Sequence, residues 1–177
     1  MIENLQKITI DNNIFLRKFN VLSTEDRLLI KKNIDWELTN KPNLVNLDHP
    51  HQTDPDIFFK YQHTKHWQTL HKAFSEVAGN LLLKTTWANL SNEDNCYDWH
   101  EHESAKLTCV YYLISPLPEY GTRLTNGINL EATENSILFF EGKISHSVTN
   151  MPPVLAKFNH RYSIVFDYVE MENKNGT

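Results

Sequence analysis

The chain has 177 residues and a net charge of −5, with 40% hydrophobic and 22% charged residues. These values are typical of one globular domain and argue against a disordered chain or a membrane-embedded one. The acidic balance also argues against a broad nucleic-acid-binding surface, since such a surface needs a clustered positive field.

The chain shows no targeting or membrane segment. Its first residues, Met1 to Lys7, lack a basic end followed by an apolar run, and no apolar stretch approaches the length of a membrane span. Two cysteines, Cys96 and Cys109, do not make a disulfide framework for a chain of this length. We therefore expect a cytoplasmic protein whose partners include neither a membrane nor a nucleic acid.

The N-terminal part mixes short strands with helices. Residues 8–19 alternate apolar and polar side chains in a way that fits one or two edge strands, with a turn at 11–13. Ser23 can cap a helix that runs to about Leu38. A polar, proline-rich loop follows over 40–60, and a loop of this length inside a compact domain is usually functional or mobile.

A second helix is predicted over 62–79, because apolar residues recur there at steps of three and four. These residues form one apolar face: Trp67, Leu70, Phe74, Val77 and Leu81. From there the period changes to two, which predicts strands at 81–90, 107–114, 136–140, 144–149 and 161–170.

Helices followed by strands, without alternation of the two, predict an α+β domain whose strands form a sandwich or a barrel. We expect a single domain over 1–177. Its helical N-terminal part covers about 1–80, its strand core about 81–170, and its tail, 171–177, is expected to be disordered.

Three histidines have the spacing of a metal site. His100 and His102 are one residue apart on an extended segment, so their side chains point to the same side. His146 lies 44 residues beyond His102, at the start of another predicted strand, and could close the site from across a barrel. Three protein ligands leave coordination positions open, as catalysis at a metal requires. A lone histidine is more often a surface or capping residue, and the pair in His49-Pro50-His51 shows that spacing alone is a weak signal.

Four segments in order resemble the double-stranded β-helix oxygenases that depend on Fe(II) and 2-oxoglutarate, particularly their prolyl-hydroxylase-like branch. After the histidine pair, the strand LTCVYYL at 107–113 is similar to the strand that follows the family's first metal motif. The segment SILFF at 136–140 and the following His146-Ser147-Val148 are similar to the part that delivers the distal histidine. RYSIVF at 161–166 resembles the final core strand, with its R-x-S pattern. The resemblance covers residues 85 to 170.

The resemblance implies a jelly-roll or cupin-like barrel with the N-terminal helices packed on it. It implies Fe(II) and 2-oxoglutarate as cofactors, O2 as co-reactant, and hydroxylation of a small-molecule or peptidyl substrate with release of succinate and CO2. His100 and His146 would be metal ligands. Tyr112 and Arg161 would bind the distal carboxylate of 2-oxoglutarate, with help from Ser163.

The strand period supports this interpretation, because Arg161 and Ser163 share one face of the last strand. An arginine on an otherwise apolar strand needs an anion as partner. The alternatives are a salt bridge at the rim from Arg161 to Asp167 or Glu170, and a plain core role for Tyr112.

His102 departs from the family pattern, which has a carboxylate at this place. Three arrangements follow: three histidines; two histidines and one of Asp98, Glu101 or Glu103; or two histidines and water. We favour three histidines, because Glu101 points to the opposite side of an extended segment. A neutral third ligand would leave the metal more positive by one charge.

Residues just before the histidine pair, Trp87, Asn89 and Tyr97, are placed to line a cosubstrate pocket, and Asn89 is a candidate cofactor-binding residue. Substrate choice should lie in the loop 40–60 and in an insertion at 150–160. Two other functions fit the same fold: a cupin-type metalloprotein that does not use 2-oxoglutarate, and a non-catalytic binding module.

Overall fold

The computed structural model describes residues 4–40, 51–91, 98–149 and 151–171. The helices in these ranges are α1 (Thr24–Asn40), α2 (Ile57–Tyr61), α3 (Lys65–Ala78) and α4 (Pro153–Ala156). The strands in the same ranges are β1 (Leu5–Ile10), β2 (Asn13–Phe19), β3 (Leu82–Ser91), β4 (Leu107–Ile114), β5 (Thr122–Leu124), β6 (Asn129–Leu130), β7 (Ser136–Phe140), β8 (His146–Val148) and β9 (Arg161–Val169).

The first two strands form a tight hairpin. Its turn residues, Asp11 and Asn12, have φ values of 47° and 67°, which fit the two-residue turns that match the twist of paired strands. β1 is the edge strand, while β2 pairs with β7 inside the sheet. The strands expected in 8–19 are thus confirmed. The description of 1–80 as a helical part is wrong for its beginning, because the hairpin bonds to the free edge of β7 and becomes part of the sheet.

Two antiparallel sheets face each other. The larger has the order β1-β2-β7-β4-β9-β3, and the smaller has the order β6-β5-β8. An apolar cluster fills the space between them, with Val110, Leu138 and Val165 from the larger sheet and Leu124 and Leu130 from the smaller. Helices α1, α2 and α3 pack on the other face of the larger sheet, which gives the α+β arrangement predicted from the sequence.

Helix α3 covers the outer face of the larger sheet. Trp67, Leu70 and Phe74 are buried on its inner side, as the helical period predicts. Phe74 stacks on Phe166 of β9 with ring centroids 4.1 Å apart. The helix ends at Gly79, whose φ of 62° lies in the region that favours glycine.

Helix α1 begins as predicted, since the amide of Asp26 donates to the Ser23 hydroxyl at 3.1 Å. None of the helices in the described ranges is long and apolar enough to span a membrane. Residues 41–50 of the polar loop, Tyr97, and 172–177 of the tail lie outside the described residues.

Asn135 connects the start of β7 to the chain before α1. It has a φ of 58°. Its side-chain oxygen accepts from the Leu22 amide at 3.0 Å and the Tyr111 hydroxyl at 2.8 Å, and its amide group donates to the Leu22 carbonyl at 2.9 Å. Asn135 is thus held by three side-chain hydrogen bonds in a conformation that asparagine tolerates better than most residues.

Asn135→Ala should lower the free energy of unfolding by about 3 kcal/mol, because three partly buried hydrogen bonds are lost and alanine is strained at this φ. Asn135→Gly removes the same bonds without the strain, and should be less damaging by about 1 kcal/mol. Urea unfolding measures both changes. A loss below about 0.5 kcal/mol for the alanine variant would contradict this role.

Candidate metal centre and the adjoining pocket

The structure brings His100, His102 and His146 together. Each offers a ring nitrogen, and these three atoms lie within 4.8 Å of one another. His100 and His146 are also joined through their backbones, because the amide of each donates to the carbonyl of the other at 3.0 Å. A backbone bridge therefore fixes the separation of two of the three side chains.

All three imidazole rings use the same nitrogen, Nδ1, for a hydrogen bond to the protein. Each Nδ1 lies within hydrogen-bond distance of an oxygen that accepts: Asp98 O at 2.7 Å for His100, Ile144 O at 2.8 Å for His146, and the Asp167 carboxylate at 2.8 and 2.9 Å for His102. A carbonyl or ionised carboxylate oxygen cannot donate, so in a neutral ring Nδ1 carries the proton and the lone pair is on Nε2. Three neutral imidazoles in this tautomer suit a divalent transition metal.

Burial keeps His146 neutral. Burial is the largest cause, and together with the neighbouring His100 and His102 it lowers the pKa of His146 to about 3, against the opposing effect of the hydrogen bond to Ile144. The ring is therefore unprotonated at neutral pH. An imidazole must be neutral to bind a metal.

His102 is held by close packing on two sides. Its amide donates to the Gly142 carbonyl at 2.8 Å, and a Cβ at Gly142 would collide with the carbonyl oxygens of His102 and Ala105. Only glycine allows this approach. On the other side, Trp87 stacks on the His102 ring with centroids 5.5 Å apart.

The carboxylates considered as third ligands do not belong to this group of described residues. Asp98 contributes its backbone oxygen to His100, and Glu101 and Glu103 line an outer cleft together with His100 and His102. Within the described ranges, the group with metal-binding distances consists of the three histidines alone. The geometry thus favours the three-histidine arrangement, which remains a prediction.

An inner pocket runs from the histidines into the barrel. It is narrow, about 40 Å³, which is room for roughly three water molecules. Three predicted cofactor-binding residues, Tyr112, Arg161 and Ser163, line it together with the three histidines. Asn89 pairs with Ser163 across β3 and β9 but is not among the lining residues.

Arg161 is 3% exposed and is the first residue of β9. Its guanidinium donates to the Ser91 hydroxyl at 2.9 Å and to the Tyr120 carbonyl. The proposed rim partners are engaged elsewhere, since Asp167 binds His102 and Glu170 pairs with Lys106.

Tyr112 lies beside Thr122 inside the barrel. Its hydroxyl is 2.7 Å from the Thr122 Oγ1. Burial raises the pKa of Tyr112, and Thr122 and Arg161 partly offset this effect. Tyr112 is therefore a neutral phenol that can donate a hydrogen bond to an anion.

An outer cleft of about 820 Å³ opens on the other side of the histidines. Trp87, His100 and His102 line both the cleft and the inner pocket, so the histidine cluster lies at their junction. Gln52 and Pro55 of the polar loop also line the cleft. The described part of the insertion, 151–160, does not line the cleft. The structure therefore does not support the predicted role of that segment in substrate choice.

The loop that carries Gln52 and Pro55 is fixed on β3. The Thr53 amide donates to the Ala88 carbonyl, and the Ala88 amide donates to the Thr53 hydroxyl, both at 2.9 Å. Lys60 of α2 holds the Asp54 carboxylate at 2.8 Å. One wall of the cleft is therefore anchored to the larger sheet.

Sequence reasoning missed a role for Asp167 at this site, and also the contacts of Ser91 and Thr122. The alternation along β9 does place Asp167 on the same face as Arg161 and Ser163. This alternation predicts that the Asp167 side chain faces the interior of the barrel, but it does not identify His102 as the hydrogen-bond partner of Asp167.

No protein-family model and no curated protein sequence matches the chain. Solved structures do. AviO1 from Streptomyces viridochromogenes Tue57 is similar with a TM-score of 0.66 and 12% identity, over 92% of each chain. HygX from Streptomyces hygroscopicus, solved with nickel and 2-oxoglutarate bound, has a TM-score of 0.61 and 11% identity, over 92% of this chain and 90% of that one. A Pseudomonas putida prolyl-4-hydroxylase has a TM-score of 0.55 and 13% identity, over 89% of this chain and 88% of that one.

At these identities the similarity establishes the fold. The two facing antiparallel sheets and the helices on one outer face form a double-stranded β-helix, as expected from the sequence.

Proposed function

We propose that the chain is an oxygenase that depends on Fe(II) and 2-oxoglutarate and hydroxylates a substrate bound in the outer cleft. One observation carries this proposal: a single inner pocket joins the three-histidine cluster to Arg161 and Tyr112. A metal site and an anion-binding pair in one pocket are what a cosubstrate with two carboxylates needs. The fold shared with HygX, which holds nickel and 2-oxoglutarate, and with a prolyl-4-hydroxylase agrees with this function.

His100, His102 and His146 would hold the metal. The three Nε2 lone pairs fit a first-row transition metal, because imidazole suits iron, nickel, copper and zinc. Iron, 2-oxoglutarate and O2 would supply the oxidation, in which one oxygen atom enters the substrate and the other enters succinate as CO2 is released.

Arg161 would bind the distal carboxylate of 2-oxoglutarate through a charge-assisted contact, with the Tyr112 hydroxyl as a second donor. Ser163, which pairs with Tyr112 across β4 and β9 and lines the same pocket, would add a third. The pocket is small, so the side chains that line it must move apart to admit a five-carbon cosubstrate. The apolar residues Val110, Val148 and Val165 would then exclude water around the bound cosubstrate.

The outer cleft would receive the substrate. Its volume is in the range of sites that bind small molecules, and its open form also admits a peptide side chain. Trp99, about half exposed at 47%, offers an aromatic surface at the mouth. The substrate class therefore stays a small molecule or a peptidyl residue.

One observation favours a second candidate, a cupin-type metalloprotein without 2-oxoglutarate. The ligand set contains three imidazoles and no carboxylate. This alternative leaves the buried Arg161 and Tyr112 without a ligand-binding role in the pocket.

The two functions predict different spectra. Purified without oxygen and given Fe(II) and 2-oxoglutarate, the protein should develop a weak visible metal-to-ligand charge-transfer band, and aeration should yield succinate. Zn(II) in place of Fe(II) is the matched control, since it fills such sites but has no redox chemistry. A protein that binds Fe(II) but gives neither the band nor succinate would be the cupin-type metalloprotein.

A further inference from the structure

Asp167 is a buried carboxylate whose contacts lead to the metal cluster. It is 5% exposed and lies on the interior face of β9. One oxygen accepts from the Thr108 hydroxyl at 2.8 Å and from His102 Nδ1 at 2.9 Å, and the other accepts from His102 Nδ1 at 2.8 Å. Both oxygens are thus directed at the ring that presents its other nitrogen to the cluster.

The three histidines are not equivalent in this respect. His100 and His146 donate Nδ1–H to neutral backbone carbonyls. His102 donates Nδ1–H to a carboxylate, and among the ion pairs of the described residues His102 is the sole partner of Asp167. A hydrogen bond to a charged acceptor is stronger than one to a neutral acceptor and makes the imidazole a better electron donor to a metal.

If the buried Asp167 carboxylate is ionised and the His102 ring is neutral, a cation must lie nearby. A buried carboxylate is costly unless it is paired. A divalent ion among the three Nε2 atoms would supply that charge across the His102 ring. The same ion would otherwise be held by neutral ligands only.

We propose that Asp167 is a positioning residue that delivers, through His102, the negative charge that a carboxylate ligand would otherwise bring to the metal. His102 and Asp167 then act as one unit: the ring binds the ion, and the carboxylate fixes the ring and offsets the charge of the ion. This inference rests on the proposed metal site and adds to it a residue that does not touch the metal.

Co(II) titration of the metal-free protein tests the proposal without any turnover. Asp167→Asn should weaken Co(II) binding by about 10- to 100-fold and shift the visible Co(II) bands. Thr108→Val removes one hydrogen bond to Asp167 but keeps its charge, so it should weaken binding by less than about 10-fold.

A double-mutant cycle separates this role from a structural one. In a His102→Asp background the carboxylate at 102 can bind the ion directly, so adding Asp167→Asn should cause no further loss of Co(II) affinity. Equal losses in the two backgrounds would overturn the proposal, and so would an Asp167→Asn protein that binds Co(II) as tightly as the natural chain with unchanged bands.

Failure of the metal site itself gives a different result. If the natural chain does not bind Co(II), the proposed function fails and this inference fails with it. If the natural chain binds Co(II) and gives succinate with Fe(II), but Asp167→Asn matches it in affinity and bands, only this inference fails.

Discussion

His146→Ala should reduce Fe(II) affinity by more than about 100-fold and abolish 2-oxoglutarate turnover at micromolar metal. This loss of affinity should exceed the loss caused by removing a residue that only hydrogen-bonds to a ligand, because His146 would bind the metal directly. His146 is also the best-buried member of the cluster, and its backbone bridges His100, so its side chain closes the site from the smaller sheet. Equilibrium binding of Fe(II) without oxygen and succinate formation measure the two effects.

His63→Ala is the matched control, since His63 is exposed on the turn before α3 and lies outside the cluster. It should leave metal binding and turnover unchanged. Thermal unfolding of both metal-free variants checks their folding. A folded His146→Ala protein that retains one tightly bound Fe(II) would contradict the three-histidine site.

Arg161→Ala should raise the 2-oxoglutarate concentration needed for half-maximal turnover by about 100-fold, with little change in Fe(II) affinity. Removing one side of a buried, hydrogen-bonded charge pair costs about 3 kcal/mol, and this energy corresponds to that factor. Separate titrations of Fe(II) and 2-oxoglutarate, followed by the charge-transfer band and by succinate, measure the two affinities.

Two companion variants sharpen the result. Arg161→Lys keeps the charge but loses the planar donor geometry, so it should recover part of the affinity. Tyr112→Phe removes one neutral donor and should raise the requirement by only about 3- to 10-fold. If Arg161→Ala loses Fe(II) and 2-oxoglutarate binding in parallel with thermal stability, then Arg161 mainly holds Ser91 and Tyr120 in place.

Much of the fold follows from side-chain periods that are visible in the sequence. The strands β4 and β9 are buried on both faces and therefore appear in the sequence as nearly continuous apolar runs. The helical spacing of Trp67, Leu70 and Phe74 reports the buried face of α3, because burial on one face imposes the period. The longer strands were therefore predicted within a few residues. The strands β5 and β6, with three and two residues, are too short to show any period.

The arrangement of the site is harder to predict, because it depends on contacts between distant segments. His100 and His146 could be named as candidates from spacing and resemblance. The pairing of His102 with Asp167 spans 65 positions in the chain and depends on the register of β4 against β9, which places Thr108 opposite Asp167. No local pattern carries that register.

The bridge between His100 and His146 has a consequence for how the barrel opens. His146 belongs to the smaller sheet, while His102 is tied through Asp167 to the larger one. An ion bound by these side chains would link the smaller sheet to the larger one at the rim of the barrel. Separating the sheets there would require releasing the ion, so the concentration of free metal would also affect the stability of this end of the barrel.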